Sequence, residues 1–326
     1  MSHITLNRTH DLMPKVGYGL WKIPNEDAEE AVYNAIKIGY RLLDGAAVYG
    51  NEVEVGRGIK KAISEGIVKR EDLFARNSHR KLNAVVTKLW NNFHHKDRVR
   101  PAFDRQLKDL GLDYVDLYLI HFPVPLAYVN DNTLGWADEK TNELIIENSP
   151  IQDTWRELEK LVDAKLARNI GISNFNVQTI LDLLTYCKYK PAVLQVELHP
   201  YLQQPRLVKW VQAQGIAVMA YSSFGPVSYL EMTEEAKSTP PLLENKVIVA
   251  IANKHNKTPS QVLLRWSVQK DVIVIPKSLN PDRMRNNLDV LDWSLDEEDL
   301  KEIAGLDQKL RFNDTVSYGL SLPLWD

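Results

Sequence analysis

A closed (β/α)8 barrel, the TIM barrel, is the fold that this sequence predicts, and three observations predict it. Eight short apolar runs alternate along the chain with segments of helical periodicity. The runs lack the period-two alternation of a half-solvated sheet, as expected of parallel strands buried on both faces. Polar residues fall at or just beyond their C-terminal ends: Asp44, Lys88, His121, Ser173, Asn174, Glu197, Tyr221, Lys277 and Ser278. A barrel carries chemistry around that whole rim, whereas an open doubly wound sheet uses its switch point. The dinucleotide fingerprint of the open sheet is also missing, because Gly56 and Gly58 follow a helix start and no third glycine stands at the required spacing.

Two short runs, 4–6 and 11–14, flank the polar Asn7 to His10 and predict a hairpin ahead of the barrel. The first barrel strand, 16–19, is glycine-rich. A helix over 26–38 follows from Ala28, Ala31, Val32, Ala35 and Ile36 at helical spacing, and Gly39 stops it. The second strand, 41–43, ends on Asp44. The alternation continues with helix 52–64, strand 85–89, helix 98–110, strand 115–120, helix 151–164 and strand 169–172. Helix 177–187, strand 193–196, helix 205–214, strand 217–220, helix 247–255 and strand 272–275 complete it. Long connections at 123–150 and 222–241 follow strands, so they should overhang the rim as lids or clamps. An extra amphipathic helix is expected over 295–306. The tail, 311–326, carries Phe312, Tyr318, Leu322, Leu324 and Trp325, too many large side chains for a solvated end. It is expected to fold back over the rim, and residues 1–326 read as one domain.

A hydrophobic fraction of 44% in 326 residues is enough for a large core, and a net charge of −3 provides no basic excess. Nucleic acid and anionic membranes are therefore poor partners, and a small molecule is the expected one. The single cysteine, Cys187, excludes an intrachain disulfide; it reads as a buried helix residue in a reducing compartment. No apolar run approaches the ~18 residues of a membrane span, and the N-terminal residues lack a signal-peptide core. A cytoplasmic protein without a metal site is expected.

The chemistry centres on Arg41 to Glu52. A buried strand ends on Asp44, breaks at Gly45, and the following loop carries Tyr49. Two later strands end in Lys88 and His121. Singly, these are a turn residue, a surface charge and a strand-end histidine. Together they bring a carboxylate, an ammonium and an imidazole to one rim beside a phenol, a set suited to proton transfer.

With Gly39-Tyr-Arg-Leu-Leu-Asp-Gly-Ala, Tyr49-Gly-Asn-Glu, Thr87-Lys-Leu-Trp, Asp116-Leu-Tyr-Leu-Ile-His-Phe-Pro, Gly171-Ile-Ser-Asn-Phe, Ala220-Tyr-Ser-Ser-Phe-Gly-Pro and Ile275-Pro-Lys-Ser, the chain resembles the aldo-keto reductases. Within them it is most similar to the fungal aldose reductases known as xylose reductases. The resemblance implies reduction of open-chain pentoses such as D-xylose or L-arabinose, and of other aldehydes, to alcohols with NADPH. It also implies a catalytic tetrad of Asp44, Tyr49, Lys88 and His121. A free phenol, with pKa ~10, donates protons sluggishly near neutrality. The Lys88 ammonium is expected to lower that value, Asp44 to hold Lys88, and neutral His121 to orient the carbonyl.

The same resemblance assigns Ser173, Asn174 and Gln195 to the nicotinamide amide and Tyr221 to stacking on its ring. It assigns Ser222 and Phe224 to the loop over the pyrophosphate. Lys277, Ser278, Arg283 and Asn287 fall to the adenosine end with its 2′-phosphate, and Glu231 to the ribose hydroxyls that would allow NADH as a second cofactor. It implies a substrate pocket of Trp21, Val48, Trp90, His121, Phe122 and Asn313, and by analogy a homodimer. Three departures stand out. Leu279 replaces a polar residue, and Val48 replaces an aspartate that binds sugar in relatives. Residues 75–84 form an insertion with no expected catalytic part. Val48 keeps an L-arabinose preference or a general aldehyde or glycerol-type reductase open. A nicotinamide-binding sensor without turnover is the rival from another class.

Overall fold

The computed structural model describes residues 2–70, 84–130, 135, 144–318, 320 and 322–325. An antiparallel hairpin, β1 (His3–Thr5) and β2 (Leu12–Pro14), precedes the main sheet. Eight parallel strands then follow one another in space as they do in sequence. They are β3 (Tyr18–Gly19), β4 (Leu42–Asp44), β5 (Ala84–Leu89), β6 (Val115–Ile120), β7 (Ala167–Ser173), β8 (Val193–Glu197), β9 (Ala217–Tyr221) and β10 (Val272–Val274). The last strand meets the first through a parallel bridge of Val16 to Val274, with the Gly17 N–H donating to the Val274 carbonyl at 2.7 Å. That closure accounts for the glycines of the first strand. A Cβ on Gly17 would sit 2.5 Å from Leu42 Cγ, and one on Gly19 would sit 2.5 Å from the Ile275 carbonyl oxygen.

Helices clothe the outside: α1 (Asn25–Ile38), α2 (Glu52–Ser64), α3 (Lys96–Leu110), α4 (Ile151–Asp163), α5 (Val177–Tyr186), α6 (Pro205–Ala213), α7 (Glu234–Ser238), α8 (Lys246–Lys254), α9 (Pro259–Val268), α10 (Pro281–Leu288) and α11 (Glu297–Ala304). α9, α10 and the short α7 were not expected. α9 is buried on nearly every side, from Gln261 to Val268, so no 3.6-residue face is legible in it. The other corrections are local. Cys187 caps the end of α5 half-buried, and Ala84 belongs to β5 and pairs with Leu42. Residues 75–83 of the insertion lie outside the described residues, as does much of the 123–150 connection. Among the described residues no helix is long and apolar enough to cross a membrane.

Two apolar layers hold the barrel. Strand residues facing outward, such as Leu43, Val85, Tyr118 and Ile120, pack under the helices. Those facing inward, including Leu42, Val86, Leu117, Leu119, Val193, Met219 and Ile273, fill the interior, with Leu6 and Met13 from the hairpin region joining them. Strand side chains alternate between faces. Counting two residues on from the inward set therefore points Asp44, Lys88, His121, Gln195 and Tyr221 into the barrel at its C-terminal mouth. The apolar filling below becomes a polar layer above.

Candidate active site

Asp44 and Lys88 stand at the ends of adjacent strands, and their side chains are almost wholly buried. Lys88 Nζ donates to Asp44 Oδ1 at 2.7 Å, to the Gly45 carbonyl at 2.7 Å and to the Tyr49 hydroxyl at 3.2 Å. Asp44 Oδ2 accepts from Gln195 Nε2 at 2.7 Å, so both carboxylate oxygens are occupied. Tyr49 sits on a single 3-10 turn that ends at Gly50, whose φ of 69° makes the left-handed exit. The His121 ring lies with its centroid 6.0 Å from that of Tyr49 and 5.1 Å from that of Trp90, and it stacks on Phe122 at 5.3 Å.

The electrostatics differ from expectation in one respect. Burial raises the Tyr49 phenol above its ordinary value, and the nearby Lys88 ammonium offsets only part of that rise. The expected net lowering is therefore not found, and Tyr49 keeps its proton through the neutral range. Burial also opposes the charge on Lys88, but Asp44 and Tyr49 outweigh it and the ammonium is held above its ordinary value. His121 is driven well below its ordinary value by burial, with Lys88 and His94 adding to the effect, so the imidazole is neutral.

Asp44, Tyr49 and His121 line the floor of a cavity of about 1060 Å³ that extends to α10. Trp21, Val48, Trp90, Phe122 and Asn313 are among its lining residues. Tyr221 forms part of the wall, with its hydroxyl donating to Asn174 Oδ1 at 2.6 Å and accepting from Asn313 Nδ2 at 2.7 Å. Asn174 Nδ2 in turn donates to the His121 carbonyl at 2.9 Å. Ser173 lies just beneath the lining, its hydroxyl spent on the Gln195 carbonyl at 2.9 Å. Ser222, at φ 53°, and Phe224 open the loop above, and the Ser222 hydroxyl meets the Tyr229 hydroxyl at 2.9 Å. Lys277, Ser278, Arg283 and Asn287 line the far end together with Leu279 and Asn280. Asn280 caps α10 through the Asp282 and Arg283 N–H groups, so it does not simply replace the polar group missing at Leu279.

Of the lining residues that sequence reasoning did not assign to the site, three make contacts that shape the mouth. Lys22 reaches across the mouth to the Ser228 carbonyl at 2.9 Å and approaches the exposed Glu231 carboxylate at 3.6 Å. Tyr229 packs on Trp21 with ring centroids 5.5 Å apart. Tyr318 donates to Asn313 Oδ1 at 2.7 Å. All three lie outside the periodic segments; the signals were the position of Lys22 directly after Trp21 and the place of Tyr318 in a tail expected over the rim.

The tail does return to the rim. Buried Glu197 accepts the Phe312 N–H at 2.9 Å on one oxygen and the Asn313 N–H at 2.8 Å on the other, and His199 Nε2 lies 2.9 Å from the first. Burial alone would raise the Glu197 carboxyl, but His199, Arg311 and the Phe312 N–H reverse this and hold it below its ordinary value.

The sequence profile of the Aldo/keto reductase family matches residues 15–308. The chain belongs to that family. This aldo/keto reductase is 59% identical to a 4-dihydromethyl-trisporate dehydrogenase of Mucor mucedo over 99% of both chains. It is 52% identical to an NAD(P)H-dependent D-xylose reductase of Aspergillus niger, over 99% of this chain and 98% of the relative. Among solved structures it is similar to the aldose reductase from Schistosoma japonicum, with a TM-score of 0.85 and 37% identity across 98% of this chain and 96% of that one.

Proposed function

We propose that this aldo/keto reductase is an NAD(P)H-dependent oxidoreductase that reduces the aldehyde of open-chain pentoses and of other small aldehydes to the alcohol. The observation that carries the reading is the Tyr49 hydroxyl 3.2 Å from the Lys88 ammonium, with neutral His121 beside it, on the floor of an aromatic-walled cavity. The residues at the other end fit the adenosine phosphate of the cofactor. Lys277 and Arg283 have no ion-pair partner among the described residues, and two cations beside the Ser278 hydroxyl suit a phosphate. When bound, the nicotinamide supplies the hydride.

The chain's own residues do the rest. His121 donates a hydrogen bond to the carbonyl oxygen and orients it. As negative charge develops on that oxygen, Tyr49 transfers its phenolic proton, and the Lys88 ammonium stabilises the phenolate left behind. Asp44 keeps Lys88 aimed and charged. Trp21, Trp90 and Phe122 exclude water from the reacting oxygen. Because Tyr49 holds its proton through the neutral range, the form able to donate to the carbonyl oxygen is the resting form at neutral pH.

Initial rates of NADPH oxidation with D-xylose, L-arabinose and glyceraldehyde test this directly, and cofactor binding without turnover on any of them would leave only the sensor reading. Replacing Lys277 and Arg283 together by alanine is expected to raise KM for NADPH at least about tenfold, since each charge-assisted hydrogen bond contributes about 1.5–3 kcal/mol. KM for NADH should barely move. Equal losses with both cofactors would refute the phosphate assignment.

A second reading has its own support. Val48 offers no acceptor to a sugar hydroxyl, and the Asn313 amide is already engaged by Tyr221 and Tyr318. A bulkier and less polar alcohol or ketone then suits the outer pocket better than a pentose, in keeping with the dehydrogenase named among the relatives. Val48→Asp discriminates. On the pentose reading it improves kcat/KM for a pentose over that for an apolar aldehyde of equal size, because paired hydroxyls carry the large specificity terms. No change in that ratio would favour the apolar reading. We also propose one cytoplasmic domain acting as a homodimer, which sedimentation equilibrium checks.

A further inference from the structure

Behind Lys88, on the side away from the cavity, lies a set of polar side chains that the mechanism above does not use. Glu52 is the first residue of α2, three residues after Tyr49, and Thr87 directly precedes Lys88. The Thr87 hydroxyl donates to Glu52 Oε1 at 2.6 Å. Gln106 Nε2, from α3, donates to Thr87 Oγ1 at 2.7 Å and to Glu52 Oε1 at 3.1 Å, and lies 3.3 Å from the Lys88 carbonyl oxygen. The Tyr118 hydroxyl, from β6, donates to Gln106 Oε1 at 2.8 Å and fixes which way that amide points. All four side chains are buried, and none lines the cavity.

The direction of donation is consistent along the chain of bonds. Tyr118 gives to Gln106, Gln106 to Thr87, and Thr87 and Gln106 both to Glu52, which as a carboxylate only accepts. A buried carboxylate at a helix N-terminus is tolerable because the helix dipole favours it there. That alone does not account for bonds running to the residue before Lys88 and to within reach of Lys88's own carbonyl. The set joins the turn that carries Tyr49 to the strand that carries Lys88.

We propose that Glu52 is the positioning residue of this site, fixing with Thr87 and Gln106 the 3.2 Å separation between the Tyr49 hydroxyl and the Lys88 ammonium. The inference rests on the functional reading above, since the separation matters only if Tyr49 transfers a proton. Burial pushes the Glu52 carboxyl up to about 7, against the hydrogen bonds from Thr87 and Gln106. The charged and titratable groups that face the network are Lys88 from β5, Asp109 and Arg105 from α3, and Tyr118 from β6. On the acid side Glu52 takes up a proton and the clamp slackens.

The test compares wild type, Glu52→Ala and Glu52→Gln by kcat, KM and NADPH affinity across pH. Misplacing a reacting group by about 1 Å costs on the order of 100-fold, so Glu52→Ala should lose about 10- to 100-fold in kcat, with KM and NADPH affinity within about threefold. Glu52→Gln keeps a neutral acceptor in place, as protonated Glu52 does, so its kcat should equal the acid-side value of wild type at every pH while staying above that of Glu52→Ala. It should also lack the fall in kcat that wild type shows on the acid side of neutrality. A folded Glu52→Ala enzyme with wild-type kcat overturns the proposal, as does a Glu52→Gln enzyme that keeps the acid fall. Should Glu52→Ala fail to fold, Thr87→Val and Gln106→Met loosen the same clamp from its other ends and carry the same expectation. An inactive wild type would sink the functional reading itself, whereas an active wild type indifferent to all these changes sinks only the positioning role.

Discussion

Replacing Tyr49 by phenylalanine lowers kcat for aldehyde reduction by about 10²- to 10⁴-fold, the contribution of a positioned general acid, and leaves NADPH binding intact. Only one oxygen is removed, and the ring keeps its place against His121. The Lys88 ammonium loses one of three acceptors but keeps Asp44 and the Gly45 carbonyl. Single-turnover rates and a fluorescence titration of NADPH separate the two effects. A variant that still reduces aldehyde within a few-fold of wild type would mean that the proton comes from elsewhere, His121 being the next candidate.

The second large effect is expected at Lys88. Replacing it by methionine removes the cation that stabilises the phenolate and also leaves Asp44 as an uncompensated buried charge, a loss of about 3–5 kcal/mol in stability. The Gln195 amide on Asp44 Oδ2 softens this but cannot neutralise it. Asp44→Asn combined with Lys88→Met should recover much of the stability and none of the activity, because the fold needs only a balanced pair while the chemistry needs the charge. Thermal melts of the single and double variants check the first half, and turnover checks the second. The pH dependence has a definite sign. Lys88 is held above its ordinary value, so its contribution to stability is complete below the unfolded pKa of about 10.4 and is lost as pH rises through the higher folded value. Across that alkaline window wild type should therefore lose stability that the double variant, with no group titrating there, does not lose.

Most of the barrel was legible because its strands are buried on both faces and end in polar residues, a contrast that survives in a single sequence. That Asp44, Lys88 and His121 gather at the mouth was legible for the same reason, since each terminates an apolar run. α9 hid because a helix buried all round has no polar face to set its period, although Thr258, Pro259 and Gln261 spelled out its capping box. The Glu52 network hid because its four members come from four elements and meet only in space. The rise in the Tyr49 pKa hid because burial is a property of the packed floor, whereas the neighbouring cation is visible in a motif. The role of Asn313 as a group already bonded on both sides depends on Tyr318, five residues along a tail without periodicity.

The Glu197 carboxylate also bears on how members of this family can be recombined. It grips the backbone of Phe312 and Asn313, and the Asn313 side chain rests on the Tyr221 hydroxyl, which in turn touches Asn174. The C-terminal segment is thus keyed to the end of β8 by two main-chain contacts and to the end of β9 through the Asn313 side chain. A foreign tail that carries an asparagine at position 313 would seat after Leu310 as long as Glu197 and Tyr221 are kept, bringing its own pocket roof with it. Specificity in this scaffold is in that sense a replaceable part, and the lock that receives it belongs to the barrel.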